Sequence, residues 1–417
     1  MKRKGKRRLY QLLLLLGTIL VSLSMKIDNR DTSDRKLTFR DSIRQEVINL
    51  ERQDVSKTAD RLLAEKPVTV TSFRSNESSG GLHDFFSEGP YWWPDPVNPD
   101  GQYIRKDGLR NPGNFKEHDD ALRRFSWIVG TETSAYLLTS KEQYAKSALD
   151  HLKAWLVDTA TRMNPNMLYA QAIRGICTGR GIGIIDANPL MDVAQSVKIL
   201  EKSPYASKQD IFQMKEWFRQ FLHWLNTHPY GIDEMKAKNN HGSWWHAQVA
   251  VYASLVGDKE ILVMCRDHFK SMLLPTQMAD NGSLPLELER TKPYSYSLFN
   301  LDALAWLAWI LPNTPDNLWQ YSLPDGRGLM KGINFMIPFM KDKSKWPYPK
   351  DLSNWDEQPG PRNFLLFASL AMENPEWFSL WKSIFTKRND KKGNEHAQQQ
   401  NLILWLGFEN PYHLKLP

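Results

Sequence analysis

From residue 115 onward the chain alternates amphipathic stretches in pairs, and that repetition constrains the fold more than any other feature. Apolar residues recur at helical spacing over 119–138 and again over 144–157, and Ser140-Lys-Glu-Gln143 between them reads as a capping box. The unit is an αα-hairpin. Further pairs are predicted at 191–201 with 211–226, at 245–256 with 261–274, and at 298–310 with 332–340. Gly257 is placed to cap one helix at its C-terminus, and Pro275 and Pro312 to close two others. Period-2 strand runs are missing from this region. Each helix must bury its apolar stripe on a neighbour, so the pattern requires an all-α domain: a bundle, a solenoid, or a toroid of one helical ring inside another. The run from Phe299 to Leu311 is apolar almost all round, which predicts a helix buried on every side. Asp302 within it then needs a partner and reads as a hydrogen-bonded structural carboxylate.

At 417 residues, with 41% hydrophobic and 12% aromatic content, the chain can bury a sizeable core, which excludes a disordered protein. Of the formal charge of +7, six units come from Lys2, Arg3, Lys4, Lys6, Arg7 and Arg8, and the first 24 residues hold no acid, so the remainder carries about +1. That balance gives no support for a nucleic-acid partner. The same basic residues and the apolar run 9–23 read as a secretory signal over 1–24, which predicts an exported, periplasmic protein with a single domain over 25–417. Gln11 interrupts the run, which is short for a span of roughly 20 residues, so no stable membrane insertion is expected after its removal. Residues 71–114 are rich in Gly, Pro, Asp and aromatics without periodicity and read as long loops arching over a cleft as a lid. Nothing demands that Cys177 and Cys265 pair, and the sequence does not fix an oligomeric state. No metal or other cofactor is indicated. His118, His241 and His246 lack zinc-site spacing, acid-rich calcium loops are missing, and Gly179-Arg-Gly-Ile-Gly183 lacks the context of a phosphate loop.

Two segments carry chemistry. Lys238-Asn-Asn-His-Gly-Ser-Trp-Trp245 sets two amides, an imidazole and two indoles where a helix is about to begin. Asn239 and Asn240 can bond a carboxylate without adding charge, His241 can exchange a proton near neutral pH, and Trp244 and Trp245 offer flat faces to pyranose rings. The same residues would also suit a turn, a structural histidine and a core. Glu287-Leu-Glu-Arg-Thr-Lys-Pro-Tyr-Ser-Tyr296 adds Arg290 and two tyrosines, Tyr294 and Tyr296.

Together these segments resemble the alginate lyase superfamily, through Asn-Asn-His followed by Trp and through Glu-Leu-x-Arg with a tyrosine six residues after the arginine. The resemblance extends to Tyr91-Trp-Trp-Pro-Asp-Pro96 with Tyr103-Ile-Arg-Lys-Asp-Gly108, and to 164–171 with 179–186. It favours the branch common in polysaccharide-degrading Bacteroidota over the alginate-biosynthetic lyases. In the latter the arginine-to-tyrosine spacing is one residue longer, which leaves both Tyr294 and Tyr296 open as the catalytic tyrosine. The resemblance implies an α/α toroid, an incomplete α/α barrel, with long N-terminal lid loops. It also implies a metal-independent lyase that cuts a 4-linked uronic-acid polymer, alginate first, by β-elimination. Asn240 and Arg290 are then implied to neutralise the substrate carboxylate, His241 to act as base or ring positioner, and Tyr296 to act at C5 and O4. Arg290 would be the group that stabilises a Tyr296 phenolate. Asn166, Tyr169, Gln171, Arg180, Trp244, Trp245 and Tyr294 are implied to bind substrate, and Tyr91, Trp92 and Trp93 to roof the cleft.

Two other readings compete. A glycoside hydrolase on the same toroid would draw its two carboxylates from Glu287, Glu289, Asp84 and Asp302, which would leave the Asn-His and Arg-Tyr sets without a task. A non-catalytic glycan-binding protein of the envelope would use the tryptophans as platforms. Arg362 reads as a turn arginine on the surface.

Overall fold

The computed structural model describes residues 38–311, 313, 316–390 and 401–406. The N-terminal segment assigned to a signal lies outside the described residues, as does Pro312. The chain divides after Ser42 into two units, and the second, from Ile43 onward, holds the body of the fold.

After α1 (Phe39–Leu62) come α2 (Glu117–Thr139) and α3 (Glu142–Leu156), then α4 (Leu190–Leu200) with α5 (Lys208–Thr227) and the short α6 (Pro229–Met235). They are followed by α7 (Asn240–Val256) with α8 (Lys259–His268), α9 (Pro293–Ile310) with α10 (Leu329–Lys341), α11 (Asn363–Ala371) with α12 (Pro375–Asp390), and α13 (Leu402–Leu406). The first helix of each pair packs on the first helix of the next: α2 on α4, α4 on α7, α7 on α9, α9 on α11. Behind this inner series stand α3, α5, α8, α10 and α12, each against its own partner. That arrangement is an α/α toroid. Sequence decides which ring a helix joins. The inner α7, α9 and α11 are buried on nearly all faces, whereas α5 keeps polar residues such as Lys208, Gln209 and Gln220 on its solvent side. Where α9, α11 and α13 meet, the Trp306 ring stands edge-on to Phe367 at 4.8 Å and to Trp405 at 4.3 Å. Among the described residues no helix is long and apolar enough to cross a membrane.

Several boundaries depart from the sequence reading. Ser140 is not the start of a capping box. At φ 57° it closes α2 in the left-handed conformation, donating its N–H to the Tyr136 carbonyl, and α3 begins after Lys141 with no side-chain cap. Pro275 does not close α8. After His268 a π turn (Phe269–Leu273) leads into one further turn, Leu274–Gln277, and Pro275 sits in its first positions, where a missing N–H costs nothing. Gly257 does cap α7, at φ 79°. Among the described residues four short strands also form. β1 (Phe86–Glu88) pairs in parallel with β4 (Tyr169–Ala172), and β2 (Trp92–Trp93) runs antiparallel to β3 (Ile104–Arg105). None is long enough to show a period of two. Cys177 and Cys265 are both free thiols.

One buried charge makes a stability prediction. Glu132 on α2 has no exposed surface; it accepts a bond from Ser147 Oγ at 2.8 Å, while its Oε2 has no partner. Burial pushes its carboxyl up to about 8, the Ser147 bond opposing this and the Glu65 and Asp150 charges adding to it. A carboxyl raised in the folded state stabilises most below its unfolded pKa, and that contribution is lost as pH climbs from 4.5 toward 8. Glu132→Gln keeps the acceptor for Ser147 and removes the charge. At pH 8 it should gain about 1–3 kcal/mol, after allowing for one unpartnered amide donor, and it should flatten the loss of stability between pH 5 and pH 8. Urea midpoints across that range test this, and an unchanged slope would sink it.

Candidate active site

A cleft of about 1350 Å³ opens between the N-terminal ends of the inner helices and the loops 71–114. It exceeds the roughly 300–1,000 Å³ of drug-sized ligand pockets, which suits it to an oligomer rather than one small molecule. Asn240, His241 and Trp244 of α7, Tyr296 and Phe299 of α9, Arg290, Arg180, Gln171, Tyr91 and Trp92 all line it.

At the start of α7, Asn239 is the N-cap, its side chain accepting the His241 N–H at 3.2 Å. The turn is tight. A Cβ on Gly242 would lie 2.1 Å from the Ala237 carbonyl, so only glycine fits there. Asn240 is held from outside the helix: its N–H donates to Glu287 Oε1 at 2.6 Å and its Nδ2 to Oε2 at 2.8 Å. Asn300 Nδ2 donates to the same carboxylate at 3.1 Å. Asn240 and Glu287 are each 1% exposed. A carboxylate can only accept, so Glu287 fixes which end of the Asn240 amide faces it. Burial raises the Glu287 pKa against the bonds from Asn240.

His241 presents Nδ1 to Glu234 Oε1 of α6 at 2.6 Å. Burial alone would lower the imidazole pKa, but the charge and hydrogen bond of Glu234 outweigh it, and the ring holds its proton above the ordinary value. Arg290 forks onto Asp107 through Nε at 3.1 Å and Nη2 at 2.9 Å. Burial would raise Asp107, yet the bonds and charge of Arg290 hold its carboxyl well below the usual range. Arg290 Nη2 also donates to Tyr296 Oη at 3.0 Å, and Tyr91 Oη lies 2.8 Å from the same atom.

From the sequence, Arg290 is expected to stabilise a Tyr296 phenolate. In the folded chain the balance runs the other way. Burial first, and then the neighbouring Tyr91, raise the Tyr296 pKa well above the ordinary phenol range, and Arg290, already paired with Asp107, only partly offsets this. Tyr296 is therefore a phenol that keeps its proton.

The structure brings together Asn240, His241, Arg290, Tyr296, Tyr91, Trp92, Gln171, Arg180 and Trp244, and it separates the others. Tyr294 and Tyr296 lie two positions apart, about 200° around the helix, so only one can face the cleft. Tyr294 has no exposed surface; its Oη donates to the Phe339 carbonyl at 3.2 Å and its ring packs edge-on to Trp346 and Trp355. Trp245 is likewise fully buried, so neither residue can stack on or bond a substrate. Three more are not among the cleft-lining residues. Trp93 donates Nε1 to the Leu109 carbonyl, Asn166 accepts the Leu168 N–H in its own turn, and the Tyr169 ring fills the space beside Gly80. Arg362 is no surface arginine: with its side chain 17% exposed, it pairs with Asp302 at 3.3 Å and Gln358 at 3.0 Å and lines the cleft. Asp302 also accepts the Phe364 N–H at 3.0 Å, as befits a structural carboxylate. Sequence reasoning missed Glu234, Glu287 and Asp107, the acids that orient the site. Glu287 and Asp107 lie inside the quoted motifs, though neither reads there as an orienting group, and Glu234 lies in none.

The chain matches the family model described as alginate lyase over residues 69–346. It belongs to the alginate lyase family. Among solved structures, an alginate lyase from Bacteroides ovatus is 30% identical, with the match covering 88% of this chain and 97% of that one at a TM-score of 0.76. A variant of alginate lyase A1-III complexed with a tetrasaccharide shares the fold at 16% identity and a TM-score of 0.50, covering 76% and 83% of the two chains. No curated protein sequence matches the chain. As a member of the alginate lyase family, the chain is an enzyme of the polysaccharide-lyase class, with an α/α-toroid fold. The family match ends before Arg362.

Proposed function

We propose that this lyase cleaves alginate, a 4-linked uronic-acid polymer, by β-elimination with His241 as base and Tyr296 as acid. The observation that carries the reading is the meeting of Asn240, His241, Arg290 and Tyr296 in one cleft, each held by a neighbouring group. The proton at C5 is only weakly acidic, so the neighbouring carboxylate has to be neutralised before it can be removed. Asn240, through the second hydrogen of Nδ2, and Arg290 supply donors for that carboxylate in a cleft where such bonds gain strength. His241, with Nδ1 tied to Glu234, has Nε2 left for the C5 proton. Tyr296 then gives its proton to O4 as the C4–O4 bond breaks and the C4–C5 double bond forms. Arg290 and Tyr91 stand ready to donate to the phenolate oxygen this leaves. The basic-then-apolar N-terminal stretch supports export to the periplasm, where such a polymer would be met.

The protonation states give a pH profile. His241 must shed a proton to act as base, and Glu234 holds that proton, so kcat/KM should rise through a limb above the 6.5 of a free imidazole. Tyr296 must keep its proton, and it does so past the usual 10, so no falling limb should appear below that pH. Glu234→Gln removes the charge and leaves burial, which moves the rising limb to lower pH. A falling limb near neutrality in the wild type would contradict these assignments. Mass spectrometry of products tests the reaction class: elimination adds no water, so new non-reducing ends are lighter by one water than those of hydrolysis, and water-containing ends throughout would overturn the proposal.

A further inference from the structure

Four cleft arginines are partly buried. Arg123 pairs with Asp119, Arg290 with Asp107 and Arg362 with Asp302. Arg180 pairs with no carboxylate among the described residues. Its Nε donates to the Gln171 carbonyl and its Nη2 to Gln171 Oε1, both at 3.0 Å, and its guanidinium lies 5.8 Å from the centre of the Trp92 ring. An arginine stays charged even when burial lowers its pKa, as it does here, so a poorly solvated cation with no carboxylate in direct contact faces the cleft.

The backbone around it is built to hold it. A Cβ on Gly179 would lie 1.9 Å from the Leu168 carbonyl, and one on Gly181 2.7 Å from that of Tyr230. The glycines of Gly179-Arg-Gly-Ile-Gly183 therefore press this stretch onto the chain entering β4 and onto α6. Gln171 is itself strained, a non-glycine residue at φ 50°, a conformation that costs about 1–2 kcal/mol and persists only where the surroundings enforce it. Each of its polar groups has a protein partner. Its N–H donates to Ser87 Oγ at 2.9 Å, both its oxygens accept from Arg180, and Nε2 donates to Asp186 Oδ1 at 2.9 Å. Asp186 Oδ2 accepts from Ser87 Oγ at 2.7 Å. Because a carboxylate only accepts, Asp186 turns the amide nitrogen of Gln171 toward itself and the amide oxygen toward Arg180.

We infer that Asp186 and Gln171 are positioning residues that aim Arg180 at the carboxylate of a uronate unit neighbouring the one being cleaved. This rests on the lyase reading, in which Asn240 and Arg290 take the carboxylate of the reacting unit. Gln171 then supports the binding group and does not itself contact sugar.

The test uses the full chain and polymannuronate, with kinetics and affinity electrophoresis in parallel. Arg180→Ala, Asp186→Asn and Gln171→Gly should each raise KM about tenfold with kcat within about twofold, and Asp186→Asn/Arg180→Ala should be no worse than Arg180→Ala alone. Gln171→Gly separates positioning from folding, because glycine relieves the strained φ while deleting both relay bonds. A merely structural role would lower thermal stability and leave KM alone. Unchanged KM, a fall in kcat instead, or additive losses in the double variant overturns the inference. Electrophoresis through polymannuronate gels reads binding without turnover, and the variants should lose the retardation of the wild type. A wild type that is retarded but releases no unsaturated uronate overturns the lyase reading and leaves the subsite standing; one that is not retarded overturns the subsite.

Discussion

Tyr296→Phe should lose about 10²–10⁴ in kcat, the usual contribution of a positioned proton donor, with KM changed little. The variant removes one oxygen from a packed ring and leaves Arg290 anchored on Asp107 through two bonds, so the fold and the carboxylate donors stay in place. What disappears is the proton for O4, together with the oxygen that both Arg290 Nη2 and Tyr91 Oη bond. Tyr294→Phe gives the contrast. Its hydroxyl bonds only a backbone carbonyl in a closed aromatic cluster, so that change should cost about 1 kcal/mol of stability and leave kcat alone. Steady-state kinetics of the two variants, with melting curves for both, checks the pair. Equal losses of kcat in both would show that the effect does not come from the Tyr296 hydroxyl at the cleft.

Asn240→Asp is the second large effect. The change is isosteric but turns a donor into an acceptor, setting a carboxyl where Nδ2 now lies 2.8 Å from Glu287 Oε2. Two carboxylates in so buried a place cannot both ionise, and the pair would share a proton. Toward the substrate, a donor is replaced by an oxygen that repels the uronate carboxylate or spends its proton on Glu287. A loss of about 10²–10³ in kcat/KM is expected, as for removal of one oxyanion-stabilising donor, and the loss should deepen as pH rises and the shared proton leaves. Asn240→Ala, which deletes the donor without adding charge, should be less impaired at high pH. If Asn240→Asp matches the wild type, Asn240 serves only as part of the turn.

Much of the fold is legible in the sequence because helix pairing is written in periodicity. α2 to α5 and α7 to α10 overlap their predicted spans, α6 does not appear among them, and the nearly all-apolar run of α9 marks it as a buried, inner helix. What is illegible has a common cause. Ser140 takes a left-handed conformation that no local rule assigns to serine, and β4 is four residues long with a strained glutamine inside it. At the site, the groups that touch the cleft sit in recognisable motifs, but of the acids that orient them Glu234, seven positions from His241, lies outside any motif and the other two pair across long stretches of chain. Glu287 lies 47 positions from Asn240 and Asp107 lies 183 from Arg290. A carboxylate 183 residues away leaves no spacing to read. Likewise, Trp244 and Trp245 look equivalent as neighbours, and only the direction of α7 decides that the first reaches the cleft and the second the core.

The most direct test of the central claim is the ultraviolet absorbance of the C4–C5 double bond, followed with purified enzyme on polymannuronate, polyguluronate and glucuronan. Absorbance should rise on an alginate block, and the rise should vanish in Tyr296→Phe. No rise on any of the three polymers, or reducing ends that accumulate without it, would contradict β-elimination at this site.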